Sequence, residues 1–186
     1  LDNLCVDIDA NEPPVGDGSA LSFVDVLIDA GVVEQDAKRQ VYVVDEPLLM
    51  RDGEVILVVV PAETFRISFT ISFDHKAIGT QYGSFDISRD SFKKEVAGAR
   101  TFCLLHEVEL LQAQGLIKGG SLENAVVVGD EGILNESLRC PDEFVRHKVL
   151  DLLGDLFLLG CSLRGHVIAI KSGHAANVAL TKEIRA

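Results

Sequence analysis

The nine residues FRISFTISF, 65–73, constrain the fold more than any other stretch of this sequence. Apolar side chains alternate strictly with Arg, Ser and Thr, which predicts a β-strand with one buried face. Just upstream, VYVVDEPLLMRDGEVILVVV predicts a hairpin that turns at Asp52-Gly53. Residues 1–10, LDNLCVDIDA, also alternate and are predicted to form a strand. The first half of the chain therefore requires a sheet, and the apolar face of that sheet requires a covering layer.

Helical spacing in the second half predicts this layer. We expect helices near 91–99, over 104–114, within 144–160 and from His174 onwards, with a hairpin at AVVVGDEGILN and a strand at HVIAIK. An earlier helix, LSFVDVLIDAG, is predicted to start after Ser19 as its cap and to end at Gly31. Neighbouring strands followed by helices favour an α+β fold, a two-layer sandwich of a mainly antiparallel sheet packed on helices.

Amino-acid composition limits the kinds of molecule that this chain can bind. The net charge of −12 argues against nucleic acid, because binding to phosphates needs a surface excess of Lys and Arg. Apolar runs are too short for an integral membrane segment, and the start lacks a signal-peptide pattern, so we expect a cytoplasmic location. Four widely spaced cysteines predict reduced thiols rather than disulfides. A small anionic ligand needs only a local cationic cluster, and such a cluster occurs at Arg146, Lys148, Arg164 and Lys171.

A polar stripe runs through the apolar segment FVRHKVLDLLGDLFLLG. His147, Asp151 and Asp155 recur every four residues, so on a helix they share one face. Burying them unpaired would be costly, and an ion pair, a second polar element or a metal ion could satisfy them. His147 and Asp151 are residue types that bind zinc, although an ordinary ion pair explains the spacing as well, because catalytic zinc usually takes three protein ligands.

Two further motifs carry chemistry. In KSGHAAN, His174 is expected at a helix start, where the helix dipole disfavours its protonation while a nearby carboxylate such as Asp155 would oppose that effect. His174 could then serve as a general acid, or it could simply cap a surface helix. In ARTF, Thr101 and Phe102 present a hydroxyl and a ring at a break between helices, where threonine is often only a cap.

Five motifs in order, EPPVGDGSALSFV, ARTF, GLIKGGSLENAVV, RHKVLDLLGDL and KSGHAAN, carry a resemblance to a known family. On these residues the chain resembles the zinc-dependent UDP-3-O-acyl-N-acetylglucosamine deacetylases of lipid A synthesis, over essentially its whole length. The resemblance implies a UDP-sugar lipid as substrate and Zn²⁺ as cofactor. It also implies that residues 1–38 end a first α+β domain and that 39–186 form a second, and we expect a monomer.

The resemblance assigns roles to individual residues. His147 and Asp151 match two zinc ligands, Asp155 matches the acid that orients His174, and His174 matches the group that stabilises developing charge and protonates the leaving amine. Thr101 matches a hydroxyl that helps to hold the oxyanion. The residues that match substrate-binding positions are Lys148, Lys171, Phe73 and Phe102.

An insert at about 103–128 resembles the family's apolar passage for the fatty-acyl chain, with a β-α-β-like form. Its expected lining is Val108, Ile117, Gly120, Leu122 and Ala125. Apolar walls and a glycine that leaves room suit an acyl chain. For Val108 and Ala125, burial in the core is a competing explanation.

The chain departs from the family in one respect. The family's third zinc ligand and its general base form a Glu-His pair just upstream of the segment that matches residues 1–10. His106 and Glu107 stand in the opposite order in a different region, so they cannot fill these roles. We therefore expect a fragment that alone binds zinc weakly and turns over little substrate. Alternatives are a non-catalytic module that binds an acyl chain or a partner, and a zinc amidohydrolase for a different amide.

Overall fold

A computed structural model describes residues 1–10, 13–108 and 121–185 of the chain. Six strands form the main sheet and three form a smaller one. The main-sheet strands are β1 Val41–Val43, β2 Leu48–Asp52, β3 Val55–Val60, β4 Phe65–Ser72, β5 Thr80–Asp86 and, later in the chain, β9 Ser162–Ile170. The smaller sheet contains β6 Phe102–Leu104, β7 Val126–Gly129 and β8 Gly132–Ile133.

The helices lie between and after these strands. They are α1 Leu21–Asp29, α2 Arg89–Ser91 with a π-helical continuation Phe92–Val96, α3, of which 105–108 are described, α4 Glu143–Leu156 with a 3-10 turn Phe157–Leu159, and α5 His174–Arg185. Within the described part of the chain, no helix is both long enough and apolar enough to cross a membrane.

The last strand of the chain occupies the centre of the main sheet. The strand order is β2-β3-β9-β4-β5, in which β9 pairs antiparallel with β3 and parallel with β4. The short strand β1 runs parallel to the first residues of β9. Because β9 ends at Ile170, it delivers Lys171 and the start of α5 to the edge where the polar stripe of α4 lies.

Strand β4 has the buried face that its alternation predicts. Ile67 and Phe69 are fully buried and Ile71 is 2% exposed. Ser68 on the opposite face is also buried, because its hydroxyl lies 2.8 Å from Ser84 Oγ and 2.8 Å from His166 Nε2. The outer face of the sheet is thus polar but locally well hydrogen-bonded.

Helices α4 and α5 cover the apolar face of the main sheet. The inward side chains of α4, including Phe144, Val145, Val149 and Leu152, are at most 1% exposed, and α5 adds Leu180. The α+β sandwich of sheet and helices is therefore confirmed. The hairpin at Asp52-Gly53 is confirmed too, with Gly53 at a positive φ of 57°.

One predicted strand was wrong, and another pairs with a different partner. Residues 1–10 are exposed and form no strand, because alternation specifies a strand only where a neighbouring strand pairs with it, and none does among the described residues. The segment 41–43 does not extend the hairpin but pairs with β9. Helix α1 ends before Gly31 as predicted, and Ser19 Oγ accepts from the Leu21 N–H although Ala20 is the N-cap residue.

The smaller sheet has the β-α-β arrangement predicted for the insert. Strands β6 and β7 are parallel, α3 follows β6 directly, and β7 turns into β8 through the predicted hairpin. Ile117 and Gly120 of the predicted acyl passage lie outside the described residues.

Candidate metal and acid–base site

His147 lies on α4 with its side chain almost buried. Its Nδ1 lies 3.0 Å from the carbonyl oxygen of Ala99, in the ARTF segment. A carbonyl can only accept, so Nδ1 carries the proton and donates, which leaves Nε2 as the nitrogen that can bind a metal. The ring of Phe102 packs edge-on against the imidazole at 6.3 Å between centroids. The ARTF segment therefore sets both the tautomer and the orientation of His147.

Asp151 lies one turn further along α4 and faces the same direction. Its Oδ1 is 3.3 Å from His147 Nε2, and its Oδ2 accepts a hydrogen bond from Lys148 Nζ at 2.7 Å. Burial raises the pKa of Asp151, but the close contacts with His147 and Lys148 outweigh it and hold that pKa well below its usual range. The carboxylate therefore stays ionised and available as a ligand.

This pair fits two positions of a zinc site. Ligand atoms about 2.1 Å from a tetrahedral zinc ion lie about 3.4 Å apart, close to the 3.3 Å between His147 Nε2 and Asp151 Oδ1. Imidazole nitrogen and carboxylate oxygen are both normal zinc donors. Residues 1–10, 13–108 and 121–185 contain no group of three such side chains placed to hold a metal. The described chain thus offers two candidate donors, His147 Nε2 and Asp151 Oδ1.

His174 faces the same region from the start of α5. Its Nδ1 is 2.9 Å from Asp155 Oδ2, and its Nε2 is 3.9 Å from Asp151 Oδ2. Because the Asp155 carboxylate accepts, Nδ1 carries a proton and Nε2 is directed toward Asp151. The His174 side chain is 66% exposed, so its free nitrogen is open to a ligand. The polar stripe of α4 therefore meets an imidazole from the next helix.

Thr101 is fixed through its backbone beside this site. Its N–H donates to the Gly18 carbonyl at 2.8 Å, and its carbonyl accepts from Val126 N–H at 2.7 Å. Thr101 follows Ala99 by two residues, and Ala99 contacts His147 directly. Gly18 approaches so closely that a Cβ there would lie 2.0 Å from the Asn124 carbonyl oxygen. The loop before α1 is therefore packed against the segment that carries Thr101.

The two predicted substrate-binding lysines flank the polar stripe. Lys148 is mostly buried against Asp151, whereas Lys171 follows β9 and reaches Glu54 Oε1 at 3.2 Å. Lys171 has a positive φ of 52°, the one such non-glycine residue in the described chain. That conformation is strained for an L-residue and is typical of functional sites.

The predicted aromatic contacts lie together next to His147. Phe73 and Phe102 pack edge to face at 5.6 Å, and Phe102 packs in the same way on Phe144 at 5.0 Å. Both Phe73 and Phe102 are only partly buried, so this row connects the core with the surface near the site.

The predicted passage residues are spread over differing environments. Val108 and Ala125 are partly buried, and Leu122 is 50% exposed. The carbonyl groups of Leu122 and Ala125 both accept from Asn135 Nδ2 at 2.8 Å, which closes the turn before β7.

Sequence reasoning missed two residues that support the site. Asn177 is fully buried and donates from Nδ2 to Asp155 Oδ2 at 2.9 Å, while its Oδ1 accepts from Ser172 Oγ. Glu143 is fully buried and binds Arg100 of ARTF. Both could have been recognised from the sequence. Glu143 lies four residues before His147 and so continues the spacing of the polar stripe toward the N-terminus, and Asn177 follows His174 by about one helical turn.

Comparison with known proteins identifies the class. Residues 1–186 match the family described as LpxC, UDP-3-O-acyl N-acetylglycosamine deacetylase. The chain belongs to this family, and the predicted resemblance is confirmed.

Individual relatives agree with this assignment. The chain is 48% identical to the UDP-3-O-acyl-N-acetylglucosamine deacetylase of Syntrophotalea carbinolica over 100% of the chain and 60% of that protein. It is 48% identical to the protein of that name from Anaeromyxobacter sp. strain Fw109-5, over 100% of the chain and 62% of the relative. The Bdellovibrio bacteriovorus protein of the same name is 45% identical, over 99% and 61% respectively. The chain thus spans about 60% of the length of these relatives.

Proposed function

We propose that this chain is the greater part of a zinc-dependent hydrolase that removes the acetyl group from UDP-3-O-acyl-N-acetylglucosamine in lipid A synthesis. One observation carries the proposal: His174 Nε2 lies 3.9 Å from Asp151 Oδ2, so an oriented imidazole faces the His147–Asp151 pair. Membership of the deacetylase family gives this arrangement its reaction class.

In this proposal His147 and Asp151 hold the metal. The hydrogen bond from His147 Nδ1 to Ala99 leaves the correct nitrogen for coordination, and the ionised Asp151 supplies a negative charge. Zinc in such a site supplies Lewis acidity toward the carbonyl of the scissile amide. We propose that a third ligand and the general base come from outside these 186 residues.

His174 is the proposed general acid. Asp155 holds its Nδ1, so a protonated His174 can direct Nε2–H toward the reacting amide. There the positive ring would stabilise the developing negative charge and then give its proton to the departing amine. Asp155 holds the ring at Nδ1 and Asn177 holds the Asp155 carboxylate, so together they limit the rotation of the ring.

The remaining residues bind the substrate in this proposal. The Thr101 hydroxyl helps to hold the oxyanion, Lys148 and Lys171 bind anionic groups of the diphosphate, and the rings of Phe73 and Phe102 contact the sugar nucleotide. Support comes from their proximity, since Phe102 packs on His147 and Lys148 contacts Asp151. Cationic side chains suit phosphate, and aromatic faces suit a base or sugar.

The smaller sheet and its insert are the proposed acyl-binding region. Val108, Leu122 and Ala125, with Ile117 and Gly120 outside the described residues, would line a passage for the fatty-acyl chain. Leu122 supports this proposal, because it is a large apolar side chain that is half exposed. We further propose that residues 1–38 belong to a first domain and 39–186 to a second.

The test compares this chain with the longest natural reading frame that contains it. We expect the longer protein to bind about one zinc ion per molecule and to release acetate from the UDP-sugar lipid, while residues 1–186 alone bind zinc weakly and release little acetate. A longer protein with neither metal nor activity would instead be a binding module. A longer protein with metal but activity on another amide would be a different amidohydrolase. Normal deacetylation by residues 1–186 alone would refute the proposed division of the site.

A further inference from the structure

Glu143 is a carboxylate with no exposed surface, located in the first turn of α4. Its Oε1 accepts from the Arg100 backbone N–H at 3.0 Å and from Arg100 Nε at 2.8 Å. Its Oε2 accepts from Arg100 Nη2 at 3.0 Å and from the Arg139 N–H at 2.7 Å. A buried charge is costly unless it is paired and hydrogen-bonded, and here four donors satisfy it.

One of these contacts, from the Arg100 backbone N–H, involves the peptide unit that orients His147. The N–H of Arg100 and the carbonyl of Ala99 belong to the same planar peptide group. The N–H donates to Glu143, and the carbonyl accepts from His147 Nδ1 at 3.0 Å. Glu143 and His147 lie one turn apart on α4, so the helix holds this single peptide at both ends. If the peptide rotated, the carbonyl would leave Nδ1.

Arg139 reinforces the same segment. While its backbone N–H binds Glu143, its Nη1 donates to the carbonyl of Gly98 at 2.9 Å. Arg139 therefore fixes the chain just before the Ala99–Arg100 peptide, and Glu143 in turn holds Arg139 through its backbone N–H. The bidentate contact between Arg100 and Glu143 adds directional constraint, because a planar guanidinium matches a carboxylate in one geometry.

We infer that Glu143 is a positioning residue for His147: it orients the Ala99–Arg100 peptide, and that peptide sets the tautomer and direction of the imidazole. This inference rests on the proposed function, in which His147 holds the metal. Glu143 acts through another group, because all four hydrogen bonds to its carboxylate come from Arg100 and Arg139. Groups that orient a metal-binding histidine typically change metal affinity by about 10–100-fold when they are removed.

The experiment uses Glu143→Gln in the full-length natural protein. Glutamine has the same shape, but its amide nitrogen cannot accept, so donors of Arg100 or Arg139 lose their partner. We expect the zinc dissociation constant to rise about 10–100-fold and kcat to fall by a similar factor, with KM changed less than about three-fold. The matched control is Asp86→Asn, which removes the same bidentate geometry from the exposed Arg66–Asp86 pair and should change neither quantity.

A second variant tests whether the backbone N–H of Arg100 or its guanidinium group is responsible for the effect on His147. Arg100→Lys removes the guanidinium fork but keeps the backbone N–H that donates to Glu143, so its zinc affinity should stay within about three-fold of wild type even where its melting temperature falls. Loss of zinc affinity equal to that of Glu143→Gln would overturn the peptide mechanism. A Glu143→Gln protein with lowered melting temperature but unchanged zinc affinity and kcat would show a structural role only and would also overturn it.

One measurement needs no variant. In the zinc-free wild-type protein, the ring N–H of His147 should appear on Nδ1 in nitrogen-15 NMR spectra and exchange slowly with water. A proton on Nε2 instead, or rapid exchange at Nδ1, would overturn the inference. Absence of deacetylation by the wild-type protein would overturn the proposed function alone, because the ring signal and the zinc affinity report on positioning directly.

Discussion

Asp155 Oδ2 lies 2.9 Å from His174 Nδ1, joining the last turn of α4 to the first residue of α5. The two residues are 19 positions apart, separated by β9 in the middle of the sheet. The same oxygen accepts from Asn177 Nδ2, and the Asp155 carbonyl accepts from Thr181 Oγ1 at 3.2 Å. The imidazole is therefore held between two helices, which is the kind of support that the proposed general acid would need.

Asp155→Asn should lower kcat by about 10²–10⁴-fold, because an asparagine can present its amide N–H and favour the wrong tautomer of His174. Zinc content should stay at the wild-type level, since Asp155 is two turns away from His147. Steady-state kinetics and metal analysis of the full-length protein measure both. Asp130→Asn, at an exposed turn, is the control that should leave kcat unchanged. Equal zinc loss in Asp155→Asn would show that Asp155 is a ligand rather than an orienting group.

Replacement of the two histidines should have different effects. His147→Ala removes a proposed ligand and should abolish stoichiometric zinc binding. His174→Ala should retain zinc and lose about 10²–10⁴-fold in kcat, as removal of a general acid does. Metal analysis after dialysis, paired with acetate release, distinguishes them. Equal metal loss in both variants would mean that His174 is misassigned.

Leu152→Ala should destabilise the fold by about 2–5 kcal/mol, because it empties a fully buried position between α4 and the sheet. Leu158 is the same residue type six positions later but 60% exposed, so Leu158→Ala should change the free energy of unfolding by less than about 0.5 kcal/mol. Urea denaturation of residues 1–186 measures both. Similar losses for the two variants would contradict the observed packing of α4.

The Arg66–Asp86 pair on β4 and β5 should make stability depend on pH in acid. The hydrogen bond from Arg66 and the one from Thr64 lower the pKa of Asp86 from 3.8 to about 2. Since the folded state favours the ionised carboxyl, this contribution is present above pH 3.8 and is lost as pH falls through about 2. Asp86→Asn should therefore lose stability relative to wild type at pH 5 but not near pH 1.5.

Carbon-13 NMR titration of the Asp86 carboxyl provides the direct measurement. The Arg66 and Asp86 side chains are about half exposed, so added salt should reduce the lowering of the Asp86 pKa. A midpoint at the ordinary aspartate value would contradict the observed hydrogen bonds.

Local sequence pattern was enough to predict secondary structure where the backbone geometry is regular. The alternation of 65–73, the Asp52-Gly53 turn and the helix from His174 all appear as predicted, because side-chain period and turn chemistry act within a few residues. The spacing of His147, Asp151 and Asp155 likewise placed three polar groups on one face of α4. Residues 1–10 show the limit, since alternation alone does not create a partner strand.

Tertiary structure decided which of these groups meet. The pairing of Asp155 with His174 depends on β9 entering the sheet between β3 and β4, a long-range choice that no local period encodes. The tautomer of His147 depends on a carbonyl 48 residues away, and the burial of Glu143 depends on Arg100, which is 43 residues away. The sequence by itself determined which chemical groups each element carries. Packing determined their distances, because a hydrogen bond forms only when the whole fold brings donor and acceptor within about 3 Å.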